Sequence, residues 1–317
     1  MSQLSDNSLS QTHSLTSFGL FFRLFSGHWQ PGEQWRKRSF RRKFMLRSLL
    51  MPRLSHEWMR ELSQWSNLDA VIARQPRLPV RLHRPYLAVN FARPLVVDAI
   101  RYHYKLLSEA MSSEEFETYL NSQYFPLAKV EGKNGEIFSF DLTMEVNLDK
   151  EGECTVLMRN GNGDTLAEMT FTILNYQNQR TLFIGGLQGG KRDLPHEAIQ
   201  EATKACHGLF PKRLVMEAIC HFAGRLQVEQ ILAVSNAVHI FRGERYQDKN
   251  KTILSDYDNF WEAVGGECDQ TGYFHIPGTI ARKDIADIAS KKRAEYRRRY
   301  ELLDSIDTQM SMLFNQR

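Results

Sequence analysis

The stretch that decides the fold is residues 181–190, Thr-Leu-Phe-Ile-Gly-Gly-Leu-Gln-Gly-Gly. Its apolar start predicts a buried strand, and four glycines in the last six positions let the backbone approach another group closely. Lys191 and Arg192 follow, and these cations could meet phosphates or carboxylates. The stretch lacks the Lys-Ser/Thr of a P-loop and the spacing of a dinucleotide fingerprint. A bulge or packing site, the commoner role of paired glycines in strands, is therefore the alternative interpretation.

Around this stretch the hydrophobic pattern predicts an antiparallel meander. Four segments alternate or run apolar, and turns of hairpin length separate them: residues 137–146, 154–159, 166–176 and 180–188. Helices, a strand, a further helix and a last strand are predicted to follow in that order: residues 194–207, 211–226, 230–234, 256–264 and 272–276.

The region before the meander is predicted to be helical, with one helix from Ser55 to Gln75 that Ser55 caps. Ser112 or Ser113 is predicted to cap another helix before residue 121. We predict an α+β protein in which a helical N-terminal region precedes a mostly antiparallel mixed sheet with helices. Its regions would be a disordered tail, a basic helical region, an acyltransferase-like α+β domain and a charged C-terminal helix: residues 1–17, 18–125, 126–280 and 281–317.

Composition indicates a globular protein that stays in the cytoplasm. The 317 residues are 42% hydrophobic, enough to form a sizeable core, and no apolar run reaches about 18 residues. The first residues are polar and do not resemble a secretory signal. The cysteines form no Cys-x-x-Cys pair, so reduced thiols are expected in that compartment.

Charge is distributed unevenly along the chain. Residues 1–110 carry 17 Lys and Arg against 7 Asp and Glu, whereas residues 111–281 carry 15 against 24. Residues 36–53 hold eight cations and no acid, which predicts either a basic helix on the anionic inner-membrane surface or an ordinary helix packed on the protein. The packed helix is favoured, because Met45 and leucines 46, 49 and 50 widen its apolar face. No signature of a nucleic-acid-binding fold is present.

The order of predicted elements resembles the Gcn5-related acyltransferase fold. In that fold, backbone amides after the fourth strand hold the pyrophosphate of acyl-CoA, and the next helix directs its positive end at it. The resemblance implies a donor site, with acyl-CoA as the expected cofactor, at five consecutive residues: Gln188, Gly189, Gly190, Lys191 and Arg192.

Such a reaction needs a group that takes the proton of the acceptor amine. Glu168 on the third predicted strand and His239 after the 230–234 strand are the candidates by position. Each has a structural alternative, Glu168 as an outward polar residue of a strand and His239 as a loop residue. No spacing of ligands indicates a metal site, and no metal is expected.

The whole chain resembles the VirK/YbjX family of Gram-negative bacteria, over about residues 17–308. Four segments carry the resemblance: Arg84-Pro-Tyr-Leu-Ala through His103-Tyr-Lys, Phe183-Ile-Gly-Gly-Leu-Gln-Gly, Phe210-Pro-Lys-Arg-Leu-Val-Met-Glu-Ala and Asp256-Tyr-Asp-Asn-Phe-Trp-Glu. The resemblance implies a virulence-associated, envelope-stress protein that contributes to envelope maintenance and resistance to antimicrobial peptides. The family has no established catalytic residues, so it assigns no role to a residue here.

Two molecular functions remain open at this stage. One is acyl transfer from an acyl-CoA or acyl-carrier donor to an unknown substrate. The other is a non-catalytic adaptor or chaperone-like protein that binds the inner membrane surface or a protein partner.

Overall fold

The computed structural model describes residues 16–191, 194–243 and 256–313. The chain forms two compact units, Met1–Asp69 and Ala70–Arg317. Domain boundaries at residues 17, 125 and 280 stay predictions, and nearly all of the predicted disordered tail lies outside the described residues.

The described part of the first unit is helical, with aromatic side chains in its core. Its helices are α1 (Ser17–Ser26), α2 (Glu33–Arg36), α3 (Arg38–Leu50) and α4 (Pro52–Ser63), while α5 (Leu68–Arg74) crosses into the second unit. The ring of Phe44 lies 4.9 Å from that of Phe21 and 5.3 Å from that of Trp35, which fixes α3 against α1 and α2.

The prediction of one helix from Ser55 to Gln75 is wrong. The helix begins at Pro52, because proline is favoured in the first turn where its missing N–H costs no hydrogen bond. Ser55 lies inside α4, buried, and its hydroxyl donates to the Ser48 carbonyl at 3.2 Å. The predicted helix is also divided, because α4 ends at Ser63 and α5 begins at Leu68.

In the second unit, two helices precede the sheet: α6 (Leu95–Ala110) and α7 (Ser113–Asn121). The predicted cap of α7 is confirmed, since Ser112 accepts from the Glu115 N–H while the Glu115 carboxylate accepts from the Ser112 N–H. A 3-10 turn, Leu78–His83, comes before α6, and every one of its residues is buried.

Among the described residues, eight strands form one mixed, mostly antiparallel sheet in the order β1-β2-β3-β4-β5-β6-β8-β7. The strands are β1 (Phe125–Glu131), β2 (Ile137–Thr143), β3 (Cys154–Arg159), β4 (Thr165–Tyr176), β5 (Gln179–Gly189), β6 (Gln230–Val234), β7 (Glu267–Cys268) and β8 (Tyr273–Ile276). Of the strands that the structure describes, only β5 and β6 pair in parallel, from Thr181 opposite Gln230 to Ile184 opposite Ala233. The predicted α+β class, with a helical N-terminal region before the sheet, is confirmed.

The sequence missed two strands at the edges of this sheet. In β1, Pro126 interrupts the strand pattern, and it is tolerated because it is exposed and β1 is the edge strand among the described residues. The other missed strand, β7, has only two residues, both exposed, so it has no apolar alternation to detect.

The remaining helices are α8 (His196–Ala205), α9 (Pro211–Arg225), α10 (Tyr257–Ala263) and α11 (Ser290–Leu313). Phe222 of α9 packs on Phe171 of β4 with ring centroids 5.7 Å apart. On the opposite face of the sheet, Tyr86 bonds Thr172, the next residue along β4, with hydroxyls 2.6 Å apart. The candidate site described below lies on this second face, which we call the Thr172 face.

The paired glycines of the deciding stretch form a bulge. Thr170 is opposite Gly186 but Phe171 is opposite Ile184, so Gly185 is the extra residue on β5. A side chain at Gly185 would overlap the carbonyl oxygen of Glu151, and one at Gly186 would overlap the Glu151 carboxylate. Glycine is needed here because the segment carrying Glu151 lies directly against β5.

We expect Gly185→Ala to lower the free energy of unfolding by about 3 kcal/mol, because the added methyl group must displace backbone rather than a side chain. The matched control is Gly189→Ala, whose Cβ would meet Lys212 Cε at an ordinary 3.6 Å. Urea unfolding followed by circular dichroism measures both. Equal stability of the two variants would contradict the close approach of Glu151 to β5.

Candidate functional site

The site begins with a buried ion-pair cluster that fixes the segment between β2 and β3. Arg81, in the 3-10 turn before α6, contacts Asp149 through Nη1 and Glu153 through Nε, each at 2.9 Å. All three side chains are at most 3% exposed. Burial alone lowers the pKa of Arg81, but the carboxylates of Glu153 and Asp149 outweigh it and raise the pKa overall. The arginine therefore stays charged and holds both ends of residues 149–153.

Two further contacts complete the seating of this segment. The Leu87 N–H donates to the Lys150 carbonyl at 2.8 Å, and the Tyr104 hydroxyl donates to Glu153 at 3.1 Å. A side chain at Gly152 would lie 2.5 Å from the Phe171 carbonyl oxygen, so the segment also runs close to β4. The residue between the two clamped carboxylates, Glu151, is thereby directed at the bulge of β5.

Glu151 is 2% exposed, and burial raises the pKa of its carboxyl to about 8, with a further increase from Glu168. The Gln188 side-chain amide donates to its Oε2 at 3.4 Å, which favours the ionised form but does not offset burial. The carboxyl is therefore mainly protonated at neutral pH.

His239 faces the same carboxyl. Its Nε2 lies 3.8 Å from Glu151 Oε1, beyond hydrogen-bond distance, and has no hydrogen-bond partner among the described residues. Its Nδ1 accepts from the Phe241 N–H at 3.4 Å, which places the ring proton on Nε2. Burial, and then Arg242, lower the pKa of His239 to about 4. At neutral pH the pair is thus a protonated carboxyl facing a neutral imidazole.

Tyr257, at the start of α10, closes this cluster from the side of β6. Its hydroxyl accepts from the Leu187 N–H at 2.9 Å. Leu187 comes three positions after Ile184, the last residue of β5 that pairs with β6. The ring of Tyr257 packs edge-on to that of His239, with centroids 5.0 Å apart. Burial raises the pKa of the phenol, as does Glu151, so Tyr257 remains neutral.

The structure brings the predicted residues Glu168, Gln188 and His239 into this one cluster on the Thr172 face. Glu168 is the cross-strand partner of Gln188, so both side chains lie on one face of the sheet, and Gln188 reaches Glu151. Glu168 is half-buried, and burial followed by repulsion from Glu145 raises the pKa of its carboxyl to about 7, against the attraction of Lys191. It is the more accessible of the two predicted catalytic residues, since His239 is 2% exposed.

The predicted phosphate-binding residues lie at the end of β5. Gly189 still belongs to the strand, and a Cβ there would lie 3.6 Å from Lys212 Cε in the first turn of α9. At Gly190 a Cβ would collide with Leu194, so the absence of a side chain there serves packing. Lys191 is exposed, whereas Arg192 lies outside the described residues.

Two surface cavities open beside this strand end. A small one, of about 290 Å³, is lined by Lys191 together with Thr165 and Leu194. A larger one, of about 1110 Å³, shares Leu194 and is otherwise lined by the β1–β2 and β3–β4 turns, α8 and Glu295. Neither of these two cavities is lined by Glu151 or His239, so neither reaches the buried acid–base cluster.

Sequence reasoning missed Glu151, Tyr257 and Lys212. The run Asp149-Lys-Glu-Gly-Glu153 has the composition of a polar turn, and such turns are normally solvated. The available signal was the matching set of arginines 77, 81 and 84, which lie in an otherwise apolar, proline-containing stretch and predict a buried acidic partner.

The described residues give no sign of a metal centre or a membrane-spanning helix. Within them, no three or more His, Cys, Asp or Glu side chains are grouped to hold a metal ion. None of the helices in the same part of the chain is long and apolar enough to cross a membrane.

Residues 33–312 match the family described as "Protein of unknown function (DUF535)". The chain is 61% identical over 314 residues to "Uncharacterized protein YbjX" of Escherichia coli K12, covering 99% of this chain and 95% of that protein. Two uncharacterized proteins of Haemophilus influenzae Rd are each 29% identical, over 219 and 175 residues, which are 68% and 53% of this chain and 70% and 55% of theirs. The chain therefore belongs to the DUF535 family, and the relationship to YbjX predicted from its sequence is confirmed.

Proposed function

We propose that the protein transfers an acyl group from a thioester donor, acyl-CoA or an acyl-carrier protein, to an amine. One observation carries the proposal: β5 ends in glycines beside the first turn of α9, and the same strand end reaches the buried acid–base cluster through Gln188. Gly189 faces α9, whereas Gln188 and Glu168 lie on the Thr172 face, so a donor with its phosphates beside α9 would have to pass the end of β5 to bring its thioester to Glu168.

The donor's phosphates would lie at Gly189, Gly190, Lys191 and Arg192, with Lys212 added to the set. The first turn of α9 has no acidic residue and no side-chain cap, so its N–H groups and dipole favour an anion. Gln188 would contribute its backbone, because its side-chain amide is bonded to Glu151. The strand order, with a meander and then a parallel strand after two helices, also supports a likeness to Gcn5-related acyltransferases.

Glu168 is the residue we assign to the proton transfer. The amine nitrogen attacks the thioester carbon, a C–N bond forms and the C–S bond breaks. Glu168 takes the proton that the amine loses and returns it to the leaving thiolate. A carboxyl with a pKa of about 7 suits both steps at neutral pH. His239 lies behind it, with Nε2 facing the Glu151 carboxyl at 3.8 Å, and Glu151 in turn accepts from Gln188.

A non-catalytic adaptor or chaperone-like protein is the second candidate function. The observation that favours it is the run of eight cations without an acid in residues 36–53, which suits an anionic membrane surface or an acidic protein partner. It differs from the first candidate in requiring no thioester donor.

In the cell, we propose a cytoplasmic protein, peripheral to the inner membrane, that contributes to envelope maintenance, virulence and resistance to antimicrobial peptides. The support is the likeness to the VirK/YbjX family of Gram-negative bacteria. Acyl transfer is compatible with this role, because masking an amine removes a positive charge and changes how an envelope component binds cations or lipids.

We expect acetyl-CoA, a long-chain acyl-CoA or an acyl-carrier protein to raise the melting temperature of the full chain. A ligand at 100 times its dissociation constant that binds only the folded state adds about 2.7 kcal/mol of stability. Gly189→Asp and Lys191→Glu should abolish the shift, because each puts a negative charge where the phosphates would lie.

The matched control is Lys129→Glu, the same change of charge at an exposed position of β1, which should leave the shift intact. Absence of a shift with all three donors, or a full shift in both glycine-end variants, would overturn the proposal.

In a Gram-negative strain that lacks this protein, we expect increased sensitivity to cationic antimicrobial peptides. Wild type and Lys129→Glu should restore resistance, whereas Glu168→Gln, which cannot accept the amine proton, should not. Measured minimum inhibitory concentrations decide this. Unchanged sensitivity on deletion would contradict the cellular role, and full rescue by Glu168→Gln would separate that role from acyl transfer.

A further inference from the structure

Helix α3 has two apolar faces, of which only one is covered. Phe44 and Ser48 are buried and define its inner face. Leu46, Leu49 and Leu50 are 57%, 65% and 81% exposed, so the widened apolar face in the sequence is not explained by packing. At about 100° per residue these leucines lie on the side of the helix opposite Phe44.

Cations occupy the same outer side of α3. Arg38, Arg42 and Lys43 are exposed, and together with the three leucines they cover an arc of about 140° around the helix. The cations lie in the first half of the helix and the leucines in its last turns. We call these six residues the α3 outer face.

The cations of residues 36–53 are not equivalent. Arg41 belongs to the fold of the first unit, because its guanidinium donates to the carbonyls of Phe25 at 3.1 Å and Trp35 at 2.7 Å. The exposed Arg42 and Lys43 are therefore the residues that report on an external partner, and substituting Arg41 would damage the helix packing instead.

We propose that the α3 outer face binds an anionic phospholipid bilayer, with the leucines inserted at the acyl boundary and the cations among the headgroups. Two observations on this face, taken together, favour a lipid surface. Exposed leucines in adjacent turns gain most by leaving water, and the cations beside them complement a negative surface. No acid lies within residues 36–53, so the face presents only positive charge beside its leucines, which is the combination of an amphipathic helix on anionic lipid. The inference rests on the membrane association proposed above, for which it names the residues, and it does not depend on acyl transfer.

The test is co-sedimentation of the full chain with vesicles of phosphatidylglycerol and phosphatidylcholine, and with phosphatidylcholine alone. We expect binding to the anionic vesicles that weakens as salt rises. Arg42→Ala with Lys43→Ala should weaken it about 30-fold, which corresponds to about 1 kcal/mol for each cation near the surface. Leu46→Ala with Leu50→Ala should weaken binding while leaving its salt dependence unchanged.

The matched control is Arg297→Ala with Arg298→Ala, which removes two exposed cations from α11. It should bind like wild type, and unchanged circular dichroism should confirm that each variant is folded. Absence of binding to anionic vesicles, equal binding to phosphatidylcholine alone, or an equal loss in the α11 control would overturn the proposal. Binding to anionic vesicles as tight as that of wild type in both α3 variants would also overturn it.

Discussion

The second unit depends on the two buried ion pairs that Arg81 makes with Asp149 and Glu153, each at 2.9 Å. Removing one partner of such a buried pair costs about 3 to 5 kcal/mol, because the remaining charge is left without compensation. By holding both ends of residues 149–153, the arginine fixes Glu151 directly against β5, and the sheet must make room for it. The bulge at Gly185 is that accommodation, since any side chain there would overlap Glu151.

The ion pairs of Arg81 also position the neutral cluster around Glu151. Asp149 and Glu153 each pair with Arg81, whereas Glu151, which lies between them, contacts the amide of Gln188 and is buried in its mainly protonated form. This cluster reaches the protein surface through Gln188 and the half-buried Glu168. A proton can therefore be held close to the glycine end of β5, which is the property that the proposed reaction uses.

Local patterns predicted most of the fold. The capping box at Ser112, the strands Cys154–Arg159 and Gln230–Val234, and the glycine bulge all follow from residues close together in the chain. The site was only partly predictable. Glu168, Gln188 and His239 were singled out by position and lie in one cluster, although their roles stay predictions; Glu151 was missed because its burial is caused by Arg81, 70 positions earlier. Helix α3 packs through Phe44, but the exposure of Leu46, Leu49 and Leu50 could not be predicted, because hydrophobic periodicity does not tell which of two apolar faces is covered.

The pH dependence of stability tests the central claim, that Glu151 is held neutral. Its pKa rises from 4.5 to about 8 on folding, so its contribution to stability is fully present below pH 4.5 and is lost as the pH rises toward 8. Between pH 6.5 and 7.5, Glu151→Gln should remove a fall of about 1.4 kcal/mol per pH unit in the free energy of urea unfolding. For Glu168→Gln the difference from wild type should stop growing near pH 7. A Glu151→Gln protein whose stability falls as steeply as that of wild type would contradict the account.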